Sequence, residues 1–216
     1  MRSLLSIISL CMVVLMNAQY DPTAKKHLDK LSMKLKSYDS FKSNFLYHLD
    51  GPSDLDESYE GSIAVKGTKF HLKTNVGMEI ICDGTNICNY NVDDEEVLLY
   101  EFDESEDGIM TPTKVAEMYK DGYRYQMSAS DDPTTYLVEL IPDVSAAERD
   151  RQAVIKIKLY IKKSDGMLKK WHILERTGNK YTITIKDFSP NVAVASNEFM
   201  CSPSNFPADV DFNDLR

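Results

Sequence analysis

The spacing of apolar residues predicts one helix followed by a long succession of strands. Residues 24 to 38 repeat an apolar position every three or four residues, as one buried stripe of an α-helix does. The members of this stripe are Ala24, Leu28, Leu31, Leu35 and Tyr38. Asp21 is a suitable N-cap, and Pro22 suits the first helical turn. From residue 41 onward the period changes to two, which is typical of strands with one buried face.

The alternating segments predict about ten strands separated by short polar or glycine-containing turns. They cover residues 41–49, 59–65, 70–72, 78–82, 87–91, 97–102, 123–128, 136–141, 154–162, 167–176 and 180–188. A sheet of this size can curl into a barrel or part of one.

Some strands carry apolar residues on both faces, and this distinguishes them from the rest. Residues 154–162 alternate isoleucine and leucine with lysine, which indicates one solvated face. By contrast, Ile80-Ile81 and residues 97–100 and 136–138 are apolar on both sides. One helix covers one surface of such a sheet, so apolar strand surface is left over to line a cavity, a partner groove or a second packed sheet.

A second, short helix is predicted at residues 111–119. Thr111 can cap it, Pro112 lies in its first turn, and Val115 and Met118 fall on one side. It follows a polar loop at residues 103–108. Two interpretations remain open: a lid on a polar tether, or a crossover helix that stays packed.

The first eighteen residues have the features of a secretory signal peptide. Arg2 provides a positive start, residues 4–16 are apolar apart from serines, and Asn17-Ala18 offers a small residue at the cleavage point. The apolar run is shorter than the ~20 residues that span a bilayer. We expect cleavage after Ala18, which leaves one domain at residues 19–216 in the periplasm.

Composition excludes several classes of protein. The chain has 43% hydrophobic and 27% charged residues, which is ordinary for a globular domain. A formal net charge of −9 argues against nucleic acid and against anionic lipid surfaces as partners.

The three cysteines after the signal peptide are an odd number, so at least one stays unpaired. Cys82 and Cys88 flank an Asp83-Gly84 turn. They either form a disulfide across the hairpin or lie on its opposite faces as buried thiols, as Cys201 would.

Catalytic, cofactor and metal motifs are absent from the sequence. It contains no G-x-S-x-G, H-E-x-x-H, C-x-x-C, G-x-G-x-x-G or phosphate-loop pattern. The four histidines are scattered singly. Residues 103–108 resemble the first half of a calcium loop, but Lys114 occupies the position of the bidentate acid. We therefore expect no metal, no cofactor and no enzymatic activity.

The order of these elements resembles the LolA family of outer-membrane lipoprotein carriers over residues 20–213. The resemblance rests on a series of short features in a fixed order: Ser40-Phe41 with Phe45 after the helix, Gly61-x-Ile63-x-Val65, Cys82-Asp83-Gly84 leading to Tyr90-Asn91, the mid-chain helix, and paired hairpins before Phe199 and Pro203. One feature departs from the family. The family often has Arg-Pro after the glycine-containing strand, where the arginine helps to hold the lid shut, whereas this chain has Lys66-Gly67-Thr68-Lys69.

This resemblance implies a mainly β fold, an unclosed and strongly curved antiparallel sheet around an apolar cavity, with helices as a lid. It implies a monomeric periplasmic shuttle that receives acylated lipoproteins from an inner-membrane ABC transporter and delivers them to an acceptor at the outer membrane. We expect Val115 and Met118 on the lid, and Lys66 or Lys69 as a weaker latch because lysine lacks the planar donor fork of arginine. The residues expected to line the cavity are Phe45, Tyr47, Ile63, Val65, Phe70, Leu72, Ile80, Leu99 and Tyr125.

Two other functions remain open at this point. The same kind of open sheet serves periplasmic regulators that sense lipoproteins or bind a lipid or partner segment. A hydrolase acting on a lipid or glycan would need titratable groups converging in the cavity, such as His48 or His71 with Glu60 or Glu79.

Overall fold

A computed structural model describes residues 20–103, 110–145, 148 and 151–216. The predicted signal peptide and most of the acidic loop at 103–108 lie outside the described residues, so both stay predictions. No helix among the described residues is long and apolar enough to span a membrane.

The fold is mainly β, as the sequence predicts, and the described residues form two α-helices and one unclosed twelve-stranded sheet. Helix α1 covers Pro22–Lys36 and α2 covers Pro112–Glu117. The strands are β1 Phe41–Asp50, β2 Asp56–Lys66, β3 Lys69–Thr74, β4 Met78–Cys82, β5 Asn86–Asn91, β6 Glu96–Glu101, β7 Tyr123–Ser128, β8 Thr135–Pro142, β9 Val154–Lys162, β10 Leu168–Glu175, β11 Lys180–Pro190 and β12 Asp211–Asp214. Their order in the sheet is β12-β6-β5-β4-β3-β2-β1-β11-β10-β9-β8-β7.

The chain divides into two compact units. The first contains residues 20–34 and Pro112–Lys180, and the second contains Leu35–Thr111 and Tyr181–Arg216.

In the first unit, α1 begins and packs as its sequence predicts. Asp21 Oδ1 accepts hydrogen bonds from the backbone N–H groups of Thr23 (2.7 Å) and Ala24 (3.3 Å), which satisfies two donors at the helix start. Ala24, Leu28 and Leu31 are fully buried. The apolar stripe therefore forms part of the core.

Strands β8, β9 and β10 of the first unit share one face of buried apolar residues. Register pairs Val138 with Leu159 and Leu159 with Trp171, so these three buried side chains share a face. On the other face, Glu139 Oε2 accepts a hydrogen bond from Lys156 Nζ at 2.9 Å. Burial alone would raise the pKa of Glu139, but hydrogen bonds from Lys156 and Gln126 outweigh it and lower that pKa. The predicted separation of isoleucine and lysine faces on β9 is confirmed.

In the second unit, β1 to β6 form a continuous antiparallel meander. Strand β12 was not predicted from the sequence. It runs parallel to β6, with Phe212 opposite Val97. Only four residues long, it carries Asp-Phe-Asn-Asp and has no periodicity that marks a strand.

Candidate functional site

Seven of the nine residues predicted to line a cavity lie on one face of the second unit's sheet. Antiparallel partners are Phe45 with Gly61, Ile63 with Leu72, and Leu72 with Ile80. Directly opposed residues point to the same side of a sheet, so the register fixes the whole set. We call this surface the Phe45 face; its predicted members are Phe45, Tyr47, Ile63, Val65, Phe70, Leu72 and Ile80.

Burial on the Phe45 face changes from one end to the other. Ile63, Val65, Phe70 and Ile80 are buried in one apolar cluster, together with Ile87. Phe45, Tyr47 and Leu72 are only half-buried. The face is thus closed core at one end and an accessible apolar surface at the other.

The accessible end carries more aromatic residues than the two, Phe45 and Tyr47, that were predicted from the sequence. Tyr47 stacks on Tyr59 with ring centroids 4.3 Å apart, and Tyr181 lies 6.2 Å from Tyr47. Met78 packs half-buried against the same cluster. Tyr59 could have been found from the sequence, because it alternates in phase with Gly61 and Ile63. Tyr181 starts a distant strand, and only the fold brings it here.

Gly61 gives Phe45 the space for its ring. A Cβ atom at residue 61 would lie 2.3 Å from Phe45 Cζ and 2.7 Å from the backbone oxygen of Lys73. Real Cβ atoms do not approach other heavy atoms so closely, so the ring occupies the place of the missing side chain. The Gly61-x-Ile63-x-Val65 pattern therefore has a steric reason in this structure.

Leu99 does not share this surface. Leu99 in β6 is opposite Cys88 in β5, and Cys88 is opposite Ile81 in β4. This register places all three side chains on the face opposite to the Phe45 face. There they form a second buried cluster with Tyr90 and Val97. Residues 97–100 are apolar on both sides, so alternation alone did not show which side Leu99 takes.

The C-terminal segment covers that opposite face. Cys201, Phe206, Val210 and Phe212 pack against the second cluster, and Cys88 forms a disulfide with Cys201 across a Cα–Cα distance of 5.7 Å. Of the two alternatives for Cys82 and Cys88, the disulfide between them is therefore excluded. Cys82 is opposite Ile87 and points to the Phe45 face, so the two side chains lie on different sides of the hairpin. Cys82 is buried outside any disulfide, as the second alternative above has it, whereas Cys88 is not a thiol.

Tyr125 lies in the first unit and lines a separate, open pocket of about 430 Å3. Its ring makes edge-to-face contacts with Tyr20 (5.3 Å) and Tyr119 (5.8 Å). Tyr125 is therefore not one of the residues that form the Phe45 face.

The predicted lid residues also lie in the first unit. Val115 in α2 is 1% exposed, and Met118 in the 3-10 helix Met118–Lys120 is half-buried. This segment is bonded to α1. Tyr119 Oη donates to Asp29 Oδ1 at 2.5 Å, and Ser32 Oγ donates to Glu117 Oε1 at 3.0 Å. If the segment moves as a lid, it either moves together with α1 or breaks these bonds.

Tyr119→Phe is expected to loosen this anchor, because it removes the hydroxyl that donates to Asp29. Hydrogen bonds from Lys25 and then Tyr119 lower the pKa of Asp29. We expect the pKa of Asp29 to rise in the variant and the free energy of unfolding to fall by about 1 kcal/mol. NMR titration and urea unfolding measure the two effects.

Tyr123→Phe is the matched control for that change. Among the described residues, no hydrogen bond of the Tyr123 hydroxyl is found, and its removal should leave the pKa of Asp29 unchanged. Equal effects of the two substitutions would show that the Tyr119–Asp29 bond is not an anchor.

Lys66 and Lys69 flank the tight β2–β3 turn in the second unit. Both are exposed and line an open groove with residues 191–194. The latch role implied by the family resemblance stays a prediction for these two lysines.

The titratable groups considered for a hydrolase do not converge on the Phe45 face. His71 Nε2 lies 2.6 Å from Glu79 Oε1, and Lys73 Nζ lies 3.0 Å from the same oxygen. Register puts His71 opposite Ile81, on the side of the second cluster. Burial alone would raise the pKa of Glu79, but hydrogen bonds from His71 and Lys73 outweigh it and lower that pKa. We therefore interpret this group as a Glu79–Lys73 ion pair with His71 at hydrogen-bond distance from the same carboxylate.

His48 makes a separate polar contact on β1. Its Nδ1 lies 2.8 Å from Ser58 Oγ and 3.5 Å from Asp56 Oδ1. Within the described ranges, no three histidine, cysteine or acidic side chains are arranged to hold a metal ion.

One of three similar solved structures supports the fold. An uncharacterized conserved protein from Thermus thermophilus aligns with a TM-score of 0.57 at 10% identity, covering 89% of this chain and 99% of that chain. A LolA superfamily protein from Nitrosomonas europaea aligns with a TM-score of 0.45 at 14% identity, covering 82% of this chain and 97% of its own. LprF from Mycobacterium bovis gives 0.46 at 12% identity, with 82% and 97% covered.

Comparison with sequences places the chain in a family. No curated protein matches it. A family model described as outer membrane lipoprotein carrier protein LolA matches residues 50–202, which is more than half of the chain. This protein therefore belongs to the LolA family.

Proposed function

We propose that this protein is a periplasmic carrier that shields the acyl chains of lipoproteins and transfers them from the inner membrane towards the outer membrane. The observation that carries the proposal is the half-buried end of the Phe45 face. Phe45, Tyr47 and Leu72 remain partly accessible on one side of the sheet, whereas the chain's own C-terminal segment covers apolar residues on the other side. An apolar surface that the chain leaves accessible is a candidate binding site.

The chemistry of this surface suits a hydrocarbon cargo. Burial of an acyl chain gains about 0.8 kcal/mol per CH2 group, so a lipoprotein resists transfer through water unless its chains are covered. Tyr47, Tyr59 and Leu72 offer area without a charged group, and Met78 is a flexible neighbour that adapts to different chains. Such contacts bind by area and impose little directional bonding, which favours release without an energy source in the carrier.

The remaining parts of the proposal are supported by membership of the family. An inner-membrane ABC exporter would load the carrier, and a protein or the membrane itself would accept the cargo at the outer membrane. Val115 and Met118 would belong to the lid. The negative net charge keeps an empty carrier soluble.

Leu72→Asp should weaken acyl-chain binding at least tenfold. Leu72 lies between Ile63 and Ile80 on the Phe45 face, so a carboxylate there must lose water when a hydrocarbon chain covers it. The measurement is fluorescence anisotropy of a labelled, diacylated cysteine peptide with the mature protein in detergent-free buffer. Tyr47→Ala provides a milder change on the same face and should weaken binding by a smaller factor.

Val76→Asp is the matched control, because Val76 is 53% exposed in the β3–β4 turn and receives the same chemical change. Circular dichroism checks that each variant is folded. The carrier proposal fails if the unaltered protein does not bind the peptide, or if Leu72→Asp and Tyr47→Ala both bind as tightly as Val76→Asp.

A further inference from the structure

An open groove of about 880 Å3 in the second unit lies away from the Phe45 face residues. The β2–β3 turn forms one wall, with Lys66, Gly67 and Lys69, and residues 191–194 form another, followed by Ser196 and Phe199. Val194 and Phe199 are buried against Ala64, whereas Ala193 and Ala195 are exposed. The groove therefore has a fixed apolar floor beneath an accessible stretch of backbone.

The backbone of residues 192–195 belongs to no helix or strand. The carbonyl oxygen of Val192 accepts a hydrogen bond from Ser40 Oγ (2.6 Å), and that of Ala195 accepts one from the N–H of Glu198 (3.0 Å). In the part of the chain that the structure describes, no protein group accepts a hydrogen bond from the N–H groups of these four residues. Ala195 has an extended backbone conformation, and backbone donors that no protein group satisfies are available to the carbonyl oxygens of an added strand.

The groove is also cationic, although the protein as a whole is acidic. Lys66 and Lys69 make no ion pair or hydrogen bond with any described residue; Lys69 acts on Asp83 only at longer range. Asp39 is the one carboxylate among the groove's described lining residues. Glu198 in the adjoining 3-10 helix Ser196–Phe199 is already paired with Lys42 at 3.0 Å. The groove therefore combines two lysines that have no ion-pair partner among the described residues with backbone donors of residues 192–194.

We propose that this groove docks an extended, acidic peptide segment of a partner protein. The segment adds alongside residues 192–195 as a strand, and its alternate carboxylates lie next to Lys66 and Lys69. Backbone hydrogen bonds supply affinity, and the two lysines select acidic sequences. This docking site is independent of the acyl-chain surface, so a partner could engage a loaded or an empty carrier.

The test uses a fluorescein-labelled peptide of five Asp-Val repeats, with five Lys-Val repeats as the opposite-charge probe. We expect saturable anisotropy binding of the acidic peptide, which high salt weakens because exposed charges are screened. Lys66→Glu/Lys69→Glu should weaken binding at least tenfold. Hydrogen exchange followed by mass spectrometry should show slower amide exchange at residues 192–195 when the acidic peptide is bound.

Lys26→Glu/Lys30→Glu is the matched control, because it makes the same change of net charge at two exposed lysines of α1. It should change peptide binding less than twofold. Equal losses in the two double variants would overturn the proposal, as would binding without slower exchange at residues 192–195. The proposal would also be overturned if the protein bound phosphatidylglycerol vesicles through Lys66 and Lys69 but did not bind the acidic peptide.

Discussion

Cys88→Ser is expected to lower the free energy of unfolding by about 2–5 kcal/mol. The disulfide joins β5 to the C-terminal segment across a sequence separation of 113 residues, so it restricts a long loop of the unfolded chain. The substitution also leaves a hydroxyl among Ile81, Tyr90 and Leu99 in a buried cluster. Urea unfolding with and without a reducing agent measures the effect.

Cys201→Ser should cause a loss of similar size, since it removes the same bond, and neither variant should respond further to reductant. Cys82→Ala is the control, because Cys82 is buried but forms no disulfide. It should remain sensitive to reductant. Thiol titration of the denatured, signal-free protein should find one reactive thiol. Three reactive thiols, or wild-type stability that reductant does not change, would contradict the disulfide.

The disulfide affects the proposed function because it holds the segment that covers one of the two apolar faces of the sheet. The second unit has apolar residues on both sides of β4 to β6, and the C-terminal segment covers the side that carries Cys88. Loss of the disulfide would weaken that cover and expose a second apolar surface. We therefore expect reduced protein to aggregate more readily and to bind acyl chains less selectively.

Local patterns in the sequence predicted the parts of this structure that depend on local geometry. The N-cap of α1, its buried stripe and the limits of β4, β7 and β9 follow from short-range spacing. Alternation also predicts which residues share a face within each strand. It does not fix how the faces of neighbouring strands match, because a one-residue shift of register exchanges them; the grouping of the Phe45 face comes from the observed register.

Features that depend on distant segments could not be predicted in this way. Alternation is uninformative where both faces are apolar, so it did not show that Leu99 lies on the covered side. The Cys88–Cys201 bond and β12 depend on where the C-terminal segment returns to the sheet. The spacing of residues within a strand does not indicate where that segment packs. The same applies to Tyr181, which reaches Tyr47 only through the fold.

Gly61→Ala is expected to destabilise the protein by about 1–3 kcal/mol, at the upper end of that range. The added Cβ would lie 2.3 Å from Phe45 Cζ, and the Phe45 ring can move away from it. It would also lie 2.7 Å from the backbone oxygen of Lys73 in β3. That oxygen can move only if the β2–β3 pairing shifts, so both strands of the Phe45 face are disturbed. Thermal and urea unfolding measure the loss, and acyl-peptide binding should fall in parallel.

A double-mutant cycle separates the two clashes. Phe45→Leu shortens the ring side chain, so Gly61→Ala should cost less in that background, by the part that the ring contributes. The remaining cost belongs to the Lys73 oxygen, which no side-chain substitution relieves. Ser62→Ala, at an exposed neighbour on the other face of β2, should change stability by less than about 0.5 kcal/mol. If Gly61→Ala is equally harmless, Phe45 does not occupy the space beside residue 61, and the accessible end of the Phe45 face is packed differently.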